Sequence, residues 1–291
     1  DYRHTFKNGL HFGVTASVAD DKTEVTKWTY NTKIPSYGAT GWWDKSAYKE
    51  GMVLGDIWGL QFDRFLTEDD FNADGSLKAG LPDQTKVFPA GYQFAPGDVL
   101  YKDLDNNGEI VKQTNTNDKG DLSVIGNALP RLQFGLNLDA AWKGFDISMF
   151  FQGVAKRKLW AAGNQVLPGF TTGEPFYKGA EDYWTPENTD AFYPRPMDYK
   201  QSASGNYSVN DRYLLNMAYL RLKTFTVGYS LPKVWLSKFK VQGLRVYFTG
   251  ENLFTIDGVK PAIDPEIGIR TASGKSDQRN FGRSYPYQKT V

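Results

Sequence analysis

The chain has 291 residues, which is enough for one large β domain or two ordinary domains. Its 34 Lys and Arg residues balance 33 Asp and Glu residues, so the formal net charge of +1 provides no basic field that would point to nucleic acid. The absence of Cys excludes disulfides, thiolate metal sites and a Cys nucleophile, and two histidines, His4 and His11, supply a zinc site or a Ser-His-Asp triad poorly.

Aromatic residues make up 15% of the chain, yet its mean hydropathy is negative. No apolar run approaches the ~18 residues of a membrane helix. This composition fits a secreted glycan-binding β protein. It equally fits an outer-membrane β-barrel, whose apolar residues are spread over alternating strands. Composition alone leaves both classes open.

The dominant pattern along the chain is an alternation of apolar and polar residues, which is typical of strands with one apolar face. It predicts strands, the second and third of them weaker, at 6–19, 22–32, 53–66, 131–142, 145–153, 218–231 and 243–255. The strand at 131–142 has about twelve residues, against ~5–6 in soluble sheets. Lys143-Gly144 predicts a hairpin with almost no loop.

The connections between the strong strands are very unequal in length. The turn at 143–144 has two residues, whereas the next connection, at 157–216, has about sixty. This long connection is rich in Gly, Pro, Asn, Asp and aromatics, and a second such segment spans 256–284. Outer-membrane barrels combine short periplasmic turns with long extracellular loops, and a tilted strand needs ~9–11 residues to cross a bilayer. Strand length and loop asymmetry therefore favour a barrel over an extracellular β-sandwich with decorated loops.

Residues 101–110, YKDLDNNGEI, place oxygen side chains at every second position before a glycine, as calcium loops do. Thr114 stands where an EF-hand loop has its bidentate Glu, and an acidic residue further on is a candidate replacement. A series of Asx-turns explains the same pattern without an ion. The candidate ligands for a structural calcium ion are Asp103, Asp105, Asn107, Glu109 (through its carbonyl) and Asp121.

Aromatic residues in the predicted loops are candidates for contact with a substrate or a partner protein. They are Trp42, Trp43, Trp160, Tyr183, Trp184 and Tyr193. Ordinary loop packing or an interfacial girdle is the alternative. Acidic pairs such as Glu181-Asp182 show no spacing that implies a catalytic pair, so we predict no catalytic residue and no enzymatic activity.

Four stretches resemble the C-terminal part of SusC-like TonB-dependent transporters (the SusC/RagA family), which are outer-membrane nutrient importers of Bacteroidetes. They are GDVLYKDLDNNGEI (97–110), DLSVIGNALPRLQFGLNLDAAWKGFDISMFFQG (121–153), AYLRLKTFTVGYSLP (218–232) and LRVYFTGENLFT (244–255). Their order and spacing both fit the family. The match extends more weakly over nearly the whole chain, including EGMVLGDIWGL at 50–60.

The resemblance implies that residues 1–291 are part of an antiparallel transmembrane β-barrel. They would supply about seven or eight of its ~22 strands, together with long extracellular loops. We expect the plug domain, the TonB box and the final strand to lie outside this sequence. The loop before Arg131 and the segments 157–216 and 256–284 would face outside, whereas the direction of strands before residue 97 stays open.

The resemblance further implies an outer-membrane protein that takes up oligosaccharides or peptides. Its implied partners are a SusD-like lid lipoprotein, the TonB complex and outer-membrane lipid, with no nucleic acid. The aromatic loop residues named above are the candidate contacts with the lid. No cofactor is required, apart from the candidate calcium ion. The alternative function is that of a secreted carbohydrate-binding β-sandwich protein.

Overall fold

The computed structural model describes residues 1–28, 50–112, 119–161, 163, 165–169, 176–197, 205–260, 263–267 and 288–290. Among these residues, no helix combines the length and apolar character needed to cross a membrane. The strands are β1 (Tyr2–Thr5), β2 (His11–Ala19), β3 (Asp56–Gly59), β4 (Phe62–Phe65), β5 (Val99–Tyr101), β6 (Ser123–Asn127), β7 (Arg131–Trp142), β8 (Phe145–Lys156), β9 (Lys158–Leu159), β10 (Leu215–Asn216), β11 (Tyr219–Ser230) and β12 (Arg245–Asp257). One short helix, α1 (Lys233–Leu236), follows β11, and single 3-10 turns lie at Glu68–Asp70, Lys178–Ala180 and Ser237–Phe239.

Six strands form one antiparallel sheet in the order β1-β2-β7-β8-β11-β12. Strands β7, β8 and β11 have 12 residues each and β12 has 13, so the predicted long strands are confirmed. The bounds of β7 are those that the alternation predicted. The predicted hairpin is also confirmed, because Lys143 (φ 48°) and Gly144 (φ 90°) both adopt the left-handed backbone of a tight turn.

The register of the sheet gathers the apolar residues on one face. Val14, Leu138, Met149 and Phe225 are neighbours across four successive strands. Because side chains alternate along each strand, this row and the parallel rows beside it share one side. Large side chains on this side remain exposed, for example Phe248 at 46%.

The opposite face of the sheet is polar. Gly13, Asp139, Ser148, Thr226 and Thr249 form a row across five strands. A β-sandwich would cover the apolar face with a second sheet, but none of the described strands packs there. The alternative sandwich architecture is therefore wrong for the described residues.

The connections of the sheet separate by length onto its two ends. Because neighbouring strands run in opposite directions, the short connections 6–10, 143–144 and 231–244 all leave one end. The long connections 20–130 and 157–218, and the chain that follows β12, leave the other end. The predicted loop asymmetry is confirmed, and β2 now has a direction, antiparallel to β7.

Two predicted strands are wrong in part. Residues 6–10 form a turn rather than the start of a strand, with Gly9 at φ 80° and its amide donating to the Phe6 carbonyl at 2.9 Å. The predicted strand at 53–66 is instead two short strands, β3 and β4, which pair with β6 and β5 outside the main sheet. In the described part of the predicted strand 22–32, Glu24 makes a single bridge to Val53.

The long connections fold into a unit of their own, which we call the loop unit (described residues of 50–130 and 157–218). It holds two hydrophobic clusters, one around Tyr213, Leu167 and Met217 and the other around Tyr101 and Leu122. All five of these side chains are at most 2% exposed. The protein's buried core therefore lies in the loop unit, and the sheet contributes little to it.

Candidate ligand and partner surface on the loop unit

The loop unit is joined internally by Asp98, whose side chain is fully buried. Its carboxylate accepts hydrogen bonds from Arg195 Nε at 2.8 Å, from the Tyr92 hydroxyl at 2.8 Å and from Asn206 Nδ2 at 2.9 Å. Burial, and then the charge of Asp98, raises the pKa of Tyr92. Asp98 thus connects the first long connection, which contains Tyr92, to the second, which contains Arg195 and Asn206.

The position directly before Asp98 requires a glycine. Gly97 has φ 90°, and a β-carbon at this position would lie 2.5 Å from the Trp184 ring and 2.9 Å from the Arg195 Cβ. Trp184 packs in the same cluster as Tyr101. The Gly97-Asp98 pair therefore permits both the close approach of the indole and the ionic junction with Arg195.

A cleft of about 450 Å³ opens in the second long connection. Tyrosine and proline dominate its lining, and two opposite charges join them: Pro168, Phe176, Tyr177, Lys178, Ala180, Glu181, Tyr183, Tyr193, Pro194, Pro196 and Tyr207. Phe176 is 62% exposed and Tyr183 is 40% exposed. An apolar cleft of this size with a few polar groups is typical of ligand sites.

Tyr193 fixes the wall of this cleft through its hydrogen bonds and ring contacts. The Tyr193 hydroxyl donates to the Val166 carbonyl at 2.9 Å, and its ring stacks on Tyr213 at a centroid distance of 5.9 Å. Burial raises the pKa of Tyr193. Main-chain bonds from Trp184 to Tyr193 and from Tyr193 to Asp182, both 2.9 Å, fix the neighbouring Tyr183 at the opening. A ligand therefore meets a preformed aromatic surface.

The structure separates the aromatic residues predicted to contact a substrate or a lid. Tyr183 and Tyr193 line the cleft together. Trp160 (3% exposed) and Trp184 (7% exposed) are instead core residues of the loop unit, where they pack against other side chains. Trp42 and Trp43 lie outside the described residues.

The predicted calcium loop brings three of its carboxylates together. One oxygen from each of Asp103, Asp105 and Asp121 lies within 4.8 Å of the others. Asp121 is buried, and its oxygens accept from the amides of Leu104 at 2.8 Å and Val111 at 2.7 Å.

The same loop also forms the Asx-turns that were the alternative. Asp105 accepts from the Asn107 amide at 3.1 Å, and Asn107 accepts from the Glu109 amide at 2.8 Å. Asp103 accepts from the Gly108 amide, and this hydrogen bond lowers its pKa. The Glu109 carboxylate pairs with Lys86. These bonds account for the loop conformation without an ion, and calcium binding stays a prediction.

The chain that follows β12 is held against the sheet by ion pairs of largely buried side chains. Arg221 of β11 is 3% exposed and donates to Asp264 at 2.8 Å, and Lys223 pairs with Glu266 at 2.8 Å. The segment 263–267 therefore lies against the end of the sheet from which the long connections leave.

Reasoning from the sequence did not identify Asp98, Arg195 or the prolines of the cleft. The GDVLY stretch at 97–101 contributes to the family resemblance, which assigns no role to Asp98. A glycine directly before an acidic residue at the start of an apolar strand was the available signal. The partner of that acid, 97 residues further along, had no signal of its own.

Comparison with known proteins finds similar sequences and similar solved structures. No family model matches the chain. TonB-dependent receptor P3 of Formosa agariphila is 29% identical over 243 residues, which cover 81% of this chain and 21% of the receptor. TonB-dependent receptor P26 of the same organism is 33% identical over 193 residues, covering 64% of this chain and 18% of the receptor. The chain is thus similar in sequence to two TonB-dependent receptors.

The chain spans about a fifth of the length of these curated receptors. Among solved structures, it is similar to the RagAB peptide transporter, with a TM-score of 0.60 and 17% identity. It also matches the open-open and closed-closed states of the RagAB peptide importer, with TM-scores of 0.57 and 0.56. The first two matches cover 91% of this chain and 25% of the solved chain. This likeness confirms the predicted fold, that of a part of a larger antiparallel barrel.

Proposed function

We propose that this chain forms part of the wall and the extracellular loops of an outer-membrane, TonB-dependent nutrient importer. The observation that carries the proposal is the two-faced sheet, with an exposed apolar side, a polar side and every long connection at one end. Strands of 12 or 13 residues are long enough to cross a bilayer when tilted. The homology to named TonB-dependent receptors supports the same role.

In this proposal the loop unit faces the outside and receives the ligand. The aromatic rings of Tyr177 and Tyr183 offer stacking surfaces, and Lys178 and Glu181 offer charged groups beside them. Such a surface suits an oligosaccharide ring or the side chains of a peptide. A SusD-like surface lipoprotein would close over it, and the exposed side chains around the cleft would form part of the contact.

The proposed mechanism is binding followed by gated passage. This chain contributes the wall, a rigid loop unit and a cleft, and we assign no catalytic step to any of its residues. Energy would come from the TonB complex through parts of the parent protein outside this sequence. Asp98 holds the loop unit in one arrangement, so the cleft stays formed while other parts of the importer move.

The proposal is tested on the parent protein, the longer chain that contains this sequence. It is extracted from outer membranes in mild detergent, and the proteins that co-purify are identified by mass spectrometry. A stoichiometric surface lipoprotein bound to a membrane-embedded parent is the expected result. A parent that is soluble without detergent and has no partner would overturn the proposal and favour the secreted glycan-binding protein.

A further inference from the structure

The three short connections form one continuous edge, which we call the short-turn rim (residues 6–10, 143–144 and 231–244). The Trp142 indole, at the end of β7, donates to the Asn8 carbonyl at 3.2 Å. On the other side of the hairpin, the Ser230 amide donates to the Gly144 carbonyl at 2.8 Å. Hydrogen bonds thus connect each turn to the next across the end of the sheet.

The short-turn rim is uniformly cationic. Its three segments contain no Asp or Glu, and their five lysines are Lys7, Lys143, Lys233, Lys238 and Lys240. All five are exposed. Asp146, the first acidic residue after the 143–144 turn, is bonded to Arg245 at 2.5 Å, so it does not offset this charge. Since the whole chain carries a net charge of only +1, the rim is a local concentration of positive charge.

The same rim exposes large apolar side chains. Val234 is 74% exposed and Trp235 59% exposed, both on α1, and Trp142, which borders the rim directly before Lys143, is 43% exposed. The Lys143 ammonium lies 4.6 Å from the centre of the Trp142 ring. Helix α1 is anchored from beneath by Leu236, which is 4% exposed. Trp235 and Val234 therefore project from a fixed support.

Exposed indoles beside lysines suit the headgroup layer of a membrane. Indole rings prefer the boundary between hydrocarbon and water, and ammonium groups are attracted to phosphate in that layer. The rim also lies where the apolar face of the sheet ends, so a bilayer in contact with that face places its headgroups at the rim. An acidic protein partner would match the charge, but would not explain why the apolar side chains continue into the apolar face.

We propose that the short-turn rim binds the phosphate headgroups of anionic phospholipids, with Lys143, Lys233 and Lys238 supplying the charge and Trp142 and Trp235 the interfacial contact. The inference rests on the proposed function, because it requires the sheet to span a membrane. It adds to that function a preference for lipid charge at one end of the sheet.

The test uses the full parent protein in vesicles of phosphatidylcholine that contain either brominated phosphatidylglycerol or brominated phosphatidylcholine. Quenching of the Trp235 signal, taken as the difference between wild type and Trp235→Phe, reports which lipid lies beside α1. We expect phosphatidylglycerol to be enriched at least about fivefold over phosphatidylcholine. This is the enrichment that the attraction of a single lysine to an anionic surface would produce. The enrichment should fall when the salt concentration is raised from 20 to 500 mM.

The decisive variant is Lys143→Gln/Lys233→Gln/Lys238→Gln, which should bring the enrichment close to one. A matched control removes three exposed lysines outside the rim, Lys22→Gln/Lys78→Gln/Lys119→Gln, and should leave it unchanged. Lys→Arg at the three rim positions should preserve it.

Membrane insertion is measured first, by the resistance of the sheet to protease in the vesicles. A parent that inserts normally but quenches equally with both lipids overturns the rim proposal and leaves the importer standing. A parent that does not insert overturns both.

Discussion

Asp98 and Arg195 join two connections of the sheet through paired hydrogen bonds, Nε to Oδ1 at 2.8 Å and Nη2 to Oδ2 at 3.2 Å. The two residues are 97 positions apart, and β7 and β8 lie between them in sequence. Asp98 is fully buried while Arg195 is partly exposed. The junction is therefore one of the links that hold the two long loops together as one body.

Breaking this junction should loosen the loop unit. Asp98→Ala leaves Arg195 and Asn206 without their shared acceptor, and a broken buried pair costs about 3–5 kcal/mol. We expect faster hydrogen exchange in both connections, with the sheet unchanged. Glu68→Gln, which alters an exposed acid of the same unit, is the control. Equal exchange in Asp98→Ala and the wild type would contradict the assigned role.

The Arg64–Asp70 pair predicts acid sensitivity within the loop unit. Two hydrogen bonds from Arg64, at 2.6 and 2.7 Å, lower the pKa of Asp70 from 3.8 to about 2. Because the folded pKa lies below the unfolded one, the stabilisation is complete above about pH 4 and disappears as the pH falls towards 2. We expect a loss of about 1–2 kcal/mol in that window, since Arg64 is partly solvent-screened.

Urea unfolding of the parent at pH 7, 4 and 2, followed by Trp fluorescence, measures this loss. Asp70→Asn should be less stable at pH 7 and should lose less on acidification than the wild type. Asp69→Asn, which changes the exposed neighbour, should follow the wild type. A wild-type loss already complete between pH 7 and 5 would assign the effect to other groups.

Gly228 makes room for an ion pair on the polar face of the sheet. Arg245 of β12 crosses over Gly228 of β11 to reach Asp146 of β8, and a β-carbon at Gly228 would meet the guanidinium. Gly228→Ala should therefore displace Arg245. The pair is partly exposed, so its contribution is about 0.2–1 kcal/mol.

A double-mutant cycle with Arg245→Ala and Asp146→Ala measures that coupling. We expect it to be present with Gly228 and to vanish in the Gly228→Ala background. Gly135→Ala, on the same polar face, is the control, because an added β-carbon there meets Ser17 Oγ at 3.0 Å and no charged group. Coupling that survives in the Gly228→Ala background would show that the glycine is not required.

Neighbouring residues Tyr183 and Trp184 should affect different properties. Tyr183 lines the cleft and is 40% exposed, so Tyr183→Ala should weaken binding of the ligand or lid about two- to tenfold without lowering stability. Trp184 is buried against Gly97, so Trp184→Ala should cost about 3–5 kcal/mol of stability. Binding is measured with the co-purified partner, and stability by thermal unfolding. Equal effects of the two substitutions on binding would remove the case for the cleft.

The sequence was sufficient for features that depend on local pattern. Alternation alone defined β7 to the residue, because one apolar face over twelve positions leaves no choice of register. The turn at Asn8-Gly9 had an equally local signal, since this pair favours a tight hairpin, but the alternation around it was extended through the turn. Residues 53–66 also alternate, yet they pair with strands of the loop unit rather than with the main sheet. Their pairing partners depend on long-range contacts, which a local pattern does not show.

The candidate site was less predictable for the same reason. An aromatic residue in a loop packs inward or faces solvent according to its neighbours in space, and Tyr183 and Trp184 differ in this although they are adjacent. The acidic loop at 103–121 was identified from its spacing, whereas the pairing of Glu109 with Lys86 was not. Asp98 shows the limit clearly, because its function depends on residues of a separate connection.

In the proposed function the sheet spans a membrane with its apolar face towards lipid. Since this chain contains no Cys, single cysteines placed along β8 in the parent can carry spin labels, once any Cys elsewhere is replaced. In vesicles, labels at Ile147, Met149 and Phe151 should be accessible to oxygen and shielded from a polar nickel relaxant. Labels at Ser148 and Gln152 should show the reverse. Accessibility that does not alternate along β8, or a strand open to the nickel relaxant at every position, would contradict a membrane-spanning sheet.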